Sequence, residues 1–253
     1  MIYDAREFGR VRNPVLFVAV ATWTVLVADQ GSMLMSAHCP AEGCQAVPLS
    51  ASLQMLLTMN PPALLAAGWA LMLVAMMSPV LIPPLYYIRL RSFTHRRVRS
   101  STLFLVGYFA IWMAAGGVLL AIELAAKLLA PQSYLPAAGA VLIAFVWQIS
   151  PIKQRCLNRC YAHPALSAFG GAADFDALRF GMTHGAWCVG SCWALMLVPM
   201  LLSRGHLLGM VSIALLIFSE RLEEPGPLCW RWRGLGKATR IVIAQTQMRL
   251  QRD

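Results

Sequence analysis

Long apolar blocks, several of them close to the ~20 residues needed to cross the hydrocarbon core of a bilayer, constrain this chain more than any other feature. Inside a bilayer the backbone amides find no water, so such blocks must close their hydrogen bonds internally, as helices. The composition agrees. Hydrophobic residues make up 58% and charged residues 13%, with a mean hydropathy of +0.62, whereas soluble domains carry charge at about a quarter of positions. The expected fold is all-α: a polytopic membrane helical bundle of about six transmembrane helices, N-in/C-in. The blocks run from about Pro14 to Met35, Pro62 to Ile88, Leu103 to Ala130, Tyr134 to Ile149, Thr183 to Leu202 and Leu207 to Leu222. Leu49 to Met59 is too short to cross and reads as an interfacial helix. Asn13-Pro14 is expected to open the first helix. Pro79, Pro83 and Pro84 are expected to kink or break the second. A cleavable signal peptide is not expected, because the first apolar run is too long and no small-residue cleavage site follows it cleanly.

A formal charge of +10 invites a nucleic-acid reading, but the distribution of the charges opposes it. With six spans, 19 of the 21 lysines and arginines fall on the side of the termini, and Lys127 and Arg204 fall on the other. That is the positive-inside pattern, which places both termini in the cytoplasm and the chain in a bacterial inner (cytoplasmic) membrane. Residues 1–13 then form a cytoplasmic N-terminal segment, residues 14–224 the bundle, and residues 225–253 a basic tail. Part of that tail, Ala238 to Leu250, suits a surface helix on anionic lipid. The expected partners are the lipid bilayer and either a protein partner or further copies of the chain. Gly107, Gly116-Gly117 and Gly139 are small enough to allow helices to associate.

Two cysteine pairs carry the chemistry. Cys156 and Cys160 follow the fourth block, and Cys188 and Cys192 open the fifth. Spacing of i, i+4 puts both thiols of a pair on one helix face. Counting inwards from His184 at ~1.5 Å per residue, Cys188 lies roughly 6 Å deep, Cys192 roughly 12 Å, Met196 roughly 18 Å and Met200 roughly 24 Å. Met72, Met76 and Met77 in the second block sit at comparable depths, as does Met210 in the sixth. Thiolate and thioether donors select copper(I) over hard cations, and a graded series of weak sites suits conduction of a monovalent ion. Zinc is the alternative if four thiolates converge tetrahedrally. The competing reading is packing, since methionine fills irregular apolar cores and Gly185 and Gly190 beside Cys188 favour close helix approach.

Glu220 near the inner end of the last block is either a metal ligand or proton acceptor, or half of an ion pair with Arg221 or Lys153. Asp174 and Asp176 are expected to be solvated in the loop before the fifth block. Cys39 and Cys44, on the outer side, suit a disulfide in an oxidising compartment, and His38 with the neighbouring methionines suits a copper ion instead. Neither a phosphate-binding glycine loop, nor a pair of catalytic carboxylates, nor a Ser-His-Asp arrangement stands out in the sequence.

Three stretches taken together point to a family: Trp69-x2-Met72-x3-Met76-Met77-x-Pro79; Gln148-x2-Pro151-x-Lys153-x2-Cys156-Leu157-x2-Cys160-x3-Pro164; and Gly185-x2-Cys188-x-Gly190-x-Cys192-Trp193-x2-Met196. They resemble the predicted metal-binding integral membrane proteins, a bacterial family grouped as a domain of unknown function. The resemblance covers roughly the second to sixth blocks and implies a metal site. The family pattern has two adjacent cysteines before the tryptophan and Glu-Lys at the end of the last span, where this chain has Ser191-Cys192 and Glu220-Arg221. The leading reading is soft-metal handling, by transport, storage or delivery, with Cys156, Cys160, Cys188, Cys192, His184, Met72, Met76, Met77, Met196 and Glu220 as candidate ligands. The alternatives are a membrane thiol-disulfide oxidoreductase and a non-catalytic subunit that anchors a partner.

Overall fold

A computed structural model describes residues 5–28, 61–130, 133–167, 169–202, 205–232 and 236. The expected interfacial helix at 49–59, the Cys39 and Cys44 loop and the surface helix in the tail lie outside these residues. All the regular structure among the described residues is helical: α1 (Ala5–Ala28), α2 (Pro62–Met77), α3 (Ile82–Arg91), α4 (Arg97–Leu129), α5 (Leu135–Ile149), α6 (Pro151–Cys160), α7 (Gly170–Leu201) and α8 (His206–Arg221).

Helices Arg6–Ala28, Pro62–Arg91, Thr94–Ala126 and Gly170–Leu201 are each long and apolar enough to cross a membrane. Helices α5 and α6, bent by 67° at Ser150, count as a fifth if they form one span. The sixth expected span is α8, whose 16 residues reach only ~24 Å at ~1.5 Å per residue, short of a ~30 Å hydrocarbon core. Outward-facing Phe17, Val20, Leu142, Phe145 and Leu215 are exposed, as a bundle bathed in lipid requires.

Several boundaries differ from the sequence expectation. Helix α1 starts well before Pro14 and runs through it. An interior proline removes a hydrogen bond, and the stretch of α1 that precedes it is held in place through Glu7. Its carboxylate meets Arg10 at 2.7 Å, Arg97 at 3.3 Å and Arg89 at 3.5 Å, tying α1 to α3 and α4. The break expected at Pro79, Pro83 and Pro84 is present as an interruption of the α-helix. The prolines tighten Ser78–Leu81 into a 3-10 turn between α2 and α3, and the Ser78 hydroxyl bonds back to the Val74 carbonyl. The stretch expected as a loop before Thr183 is mostly helical: α6 occupies its start and α7 begins at Gly170. Asp174 is not solvated either. It pairs with Arg96 and Arg99, both at 2.6 Å. Asp176 accepts from the Ser167 amide at 2.9 Å and hydroxyl at 2.5 Å.

Helices α4 and α7 form the spine. Phe104 lies against Gly181 and Tyr108 against Gly185, so residue numbers rise together and the two helices are parallel. A chain leaving the far end of α4 must return before α7 starts, and only α5 and α6 lie between. The bent pair is therefore the return path. Helix α8 runs back along α7: the His206 ring lies 2.7 Å from the Pro199 carbonyl, and Arg221 reaches Ser191 at the other end. Gly205, with φ 76°, makes the reversal. One end of the bundle gathers the start of α1, the α3–α4 loop and the start of α7, where Arg96 donates to the Gly170 carbonyl at 2.9 Å and Phe93 packs on Phe169. Among the described residues, Arg89, Arg96, Arg97 and Arg99 thus gather at one end.

Gly107 and Gly116 are spent within the chain, against Leu178 and Trp69, whereas Gly117 and Gly139 face open space. A β-carbon at Gly181 would collide with the Phe104 backbone. Gly181→Ala is expected to lower stability by about 1–3 kcal/mol, the usual cost of overpacking. Gly117→Ala should leave it unchanged or raise it by up to about 1 kcal/mol, through helix propensity. Thermal unfolding of both variants in detergent checks this.

Candidate metal site

Helix α6 brings the two cysteine pairs together. Ser150 caps it, accepting from the Ile152 amide at 3.1 Å, and Pro151 sits in the first turn, where its missing N–H costs nothing. Three contacts then pin the helix. Lys153 Nζ meets Glu220 Oε1 at 2.6 Å with both side chains almost wholly buried, and Gln148 bonds to both partners. The Asn158 amide donates to the Gly226 carbonyl at 2.8 Å. The Tyr161 hydroxyl is directed at the carbonyls of Glu220, Arg221 and Glu223, the last at 2.6 Å, at the end of α8.

Pinned this way, the thiol face of α6 meets α7. Cys156 Sγ lies 2.8 Å from where a β-carbon on Gly190 would stand, so Gly190 is a glycine because the sulfur needs that space. The Trp147 indole donates to the Gly190 carbonyl at 3.1 Å and closes the same contact from α5. Cys160 lies beside Cys188, and the Arg221 guanidinium reaches both. Arg221 donates to Cys188 Sγ at 3.3 Å and to Ser191 Oγ at 3.3 Å. The Tyr108 hydroxyl is 3.4 Å from Cys188 Sγ, and the Cys192 thiol donates back to the Cys188 carbonyl at 2.8 Å. All four cysteines are buried free thiols.

The remaining sequence candidates fall into two groups. Met72, Met76, Met77 and Met196 belong to one buried core with Cys160, Cys188 and Cys192, as do Met200 and Met210. His184 is one turn before Cys188, only 5% exposed, ringed by Phe104, Tyr108 and Phe180. Its Nε2 has no hydrogen-bond partner among the described residues. Glu220 takes the ion-pair alternative, through Lys153. Among the described residues no group of three or more His, Cys, Asp and Glu side chains is arranged to hold a metal ion. The thiols meet as neighbours and do not close on one tetrahedral centre. Arg221 is the residue the sequence reading placed elsewhere, as a partner for Glu220. Its adjacency to Glu220 was visible, but that its side chain turns towards sulfur depends on where α6 docks.

Comparison with protein families gives a match over most of the chain. The family whose model fits residues 66–243 is described as PpoB2: Copper chaperone. The chain belongs to the PpoB2 copper chaperone family. No curated protein matches the chain, and no solved structure does. The matched stretch contains every candidate ligand from Met72 to Glu220 and leaves out α1 and the Cys39 loop. Membership of the PpoB2 family ties the chain to copper, as the soft donor set implied, and agrees with the metal connection that the resemblance implied. The residues present are compatible with copper: buried thiols and thioethers, and an imidazole nitrogen with no partner among the described residues.

Breaking one half of a buried pair leaves an uncompensated charge and costs about 3–5 kcal/mol. Lys153→Met alone should therefore destabilise the protein by about that much, and Lys153→Met with Glu220→Leu should recover most of the loss. Unfolding of the single and double variants in detergent decides it. A single variant as stable as the native chain would mean that this pair does not hold α6 in place.

Proposed function

We propose that this PpoB2-family chain is a multi-pass inner-membrane protein that receives copper(I) on the cysteines of α6 and α7 and passes it on, by delivery or transport. The meeting of the two cysteine pairs around Arg221 carries this reading. One copper(I) on two thiolates leaves a single negative charge, and a guanidinium beside both Cys160 and Cys188 balances it without supplying a competing ligand. A four-thiolate zinc site would leave two negative charges and needs tetrahedral closure, so the donor arrangement favours copper(I). Cys192, Met196, Met76 and Met72 continue the sulfur set into the core and form the onward path. The gathering of Arg89, Arg96, Arg97 and Arg99 at one end supports both termini and the cysteine pairs lying at the cytoplasmic side, with α8 as the sixth, short span. In that frame a protein partner or a second copy of the chain takes up the metal.

Elemental analysis of the detergent-purified protein tests the reading. Near-stoichiometric copper is expected in the native chain and should be absent when Cys156, Cys160, Cys188 and Cys192 are all changed to Ser. No copper in either, after reconstitution under reducing conditions, would overturn the proposal and leave thiol redox chemistry in its place. Removing a group that supports a metal's ligands commonly costs 10–100-fold in affinity, so Arg221→Gln should weaken copper(I) binding by about that factor. Arg221→Lys, which keeps the charge and loses the fork, should fall between the two in a chelator competition.

A further inference from the structure

A cavity of about 200 Å³ opens one helical turn from Cys188 and is lined by Arg159, His163, Thr183, His184 and Trp187, among others. It lies between the turn after α6 and the first half of α7, at the end of the bundle where the basic loops gather. His184, one helical turn before Cys188, lines its inner side, and the buried Nε2 of its ring has no partner among the described residues. Leaving a buried polar nitrogen unpaired costs about 1–3 kcal/mol, so its retention here asks for a ligand. Its outer wall holds His163, exposed to solvent and fixed by ring contact with Tyr87 at 4.6 Å. The Tyr87 hydroxyl donates to the neighbouring Pro164 carbonyl at 2.7 Å and anchors that turn. Resting on the copper reading above, we propose that this cavity is the port through which copper(I) reaches the cysteines, with His163 and His184 as its first landing site.

The chemistry is consistent with a transfer between weak and strong sites. Imidazole is a competent donor to copper(I), and thiolate binds it more tightly, so a metal landing on two imidazoles is drawn onward to Cys188 and Cys160. Two donors suffice for copper(I), which explains how a pair of histidines can act where no larger cluster forms. Each step is ligand exchange: the carrier's donor leaves as the imidazole nitrogen binds, each thiol releases its proton to solvent as its sulfur takes the metal from imidazole, and no electron moves. Arg159, held over the Trp187 ring at 6.0 Å, puts a positive charge at the mouth. That charge disfavours a bare cation and favours copper(I) arriving on an anionic carrier.

The test separates rate from capacity. Copper(I) is presented to the native protein as its anionic bis-bicinchoninate complex, and transfer is followed by loss of the complex's colour. His163→Ala removes the outer donor, and Thr183→Trp fills the cavity. Both alter exposed positions, so the fold should survive. Each variant is expected to load at least about tenfold more slowly, equivalent to about 1.4 kcal/mol in the barrier, and to reach the same final stoichiometry. Variants that load at the native rate would overturn the port while leaving the cysteine site standing. A native protein that takes up no copper would remove the cysteine site and the port together.

Discussion

The buried pairing of Lys153 with Glu220 is the interaction on which the rest of the site depends. Neither charge is tolerable alone in a dry helical interior, since an unpaired buried ion costs several kcal/mol. Together, with Gln148 bonded to both, they form a closed polar unit. That unit joins the start of α6 to the end of α8. Once α6 is fixed there, Cys156 can reach the space above Gly190 and Cys160 can reach Cys188. The pair's geometry also turns Arg221, the next residue along, away from the carboxylate and towards the thiols. A carboxylate that looked like a ligand therefore acts as a foundation, and its neighbour as the counter-charge.

The parallel packing of α4 and α7 sets the second constraint. Glycines at 181 and 185 let the backbones approach closely, because a side chain there would meet Phe104 and Tyr108. The return path between these two parallel helices is broken at Ser150, whose extended backbone and side chain cap the start of α6 ahead of Pro151. The bend at Ser150 is the outcome: α5 carries the chain back and α6 folds across α7 at the end where the basic loops gather. The thiols of α6 thus lie against α7. A cavity remains where the turn after α6 passes over α7, and it opens next to His184.

Much of this was legible from residue types. Apolar blocks and their lengths predicted the long helices, because a bilayer leaves the backbone no other way to satisfy its hydrogen bonds. The i, i+4 spacing put each cysteine pair on one face. Other features were out of reach. Pro14 looks like a helix start until Glu7 is seen holding the preceding turn against Arg89 and Arg97. Asp174 looks solvated until the extension of α7 carries it to Arg96 and Arg99. In each case a contact distant in sequence outweighs a local preference.

Sequence alone thus determined the class of fold, the softness of the donor set and the helical face each cysteine occupies. These follow from local chemistry: hydropathy, ligand type and a 3.6-residue period. Tertiary structure decided which donors meet and which polar groups are consumed as structure. That choice depends on docking α6 against α7 and α8, through an ion pair whose members are 67 residues apart and whose pairing no local pattern encodes. The same docking decides that Arg221 faces sulfur, that Glu220 does not, and that a cavity opens beside His184.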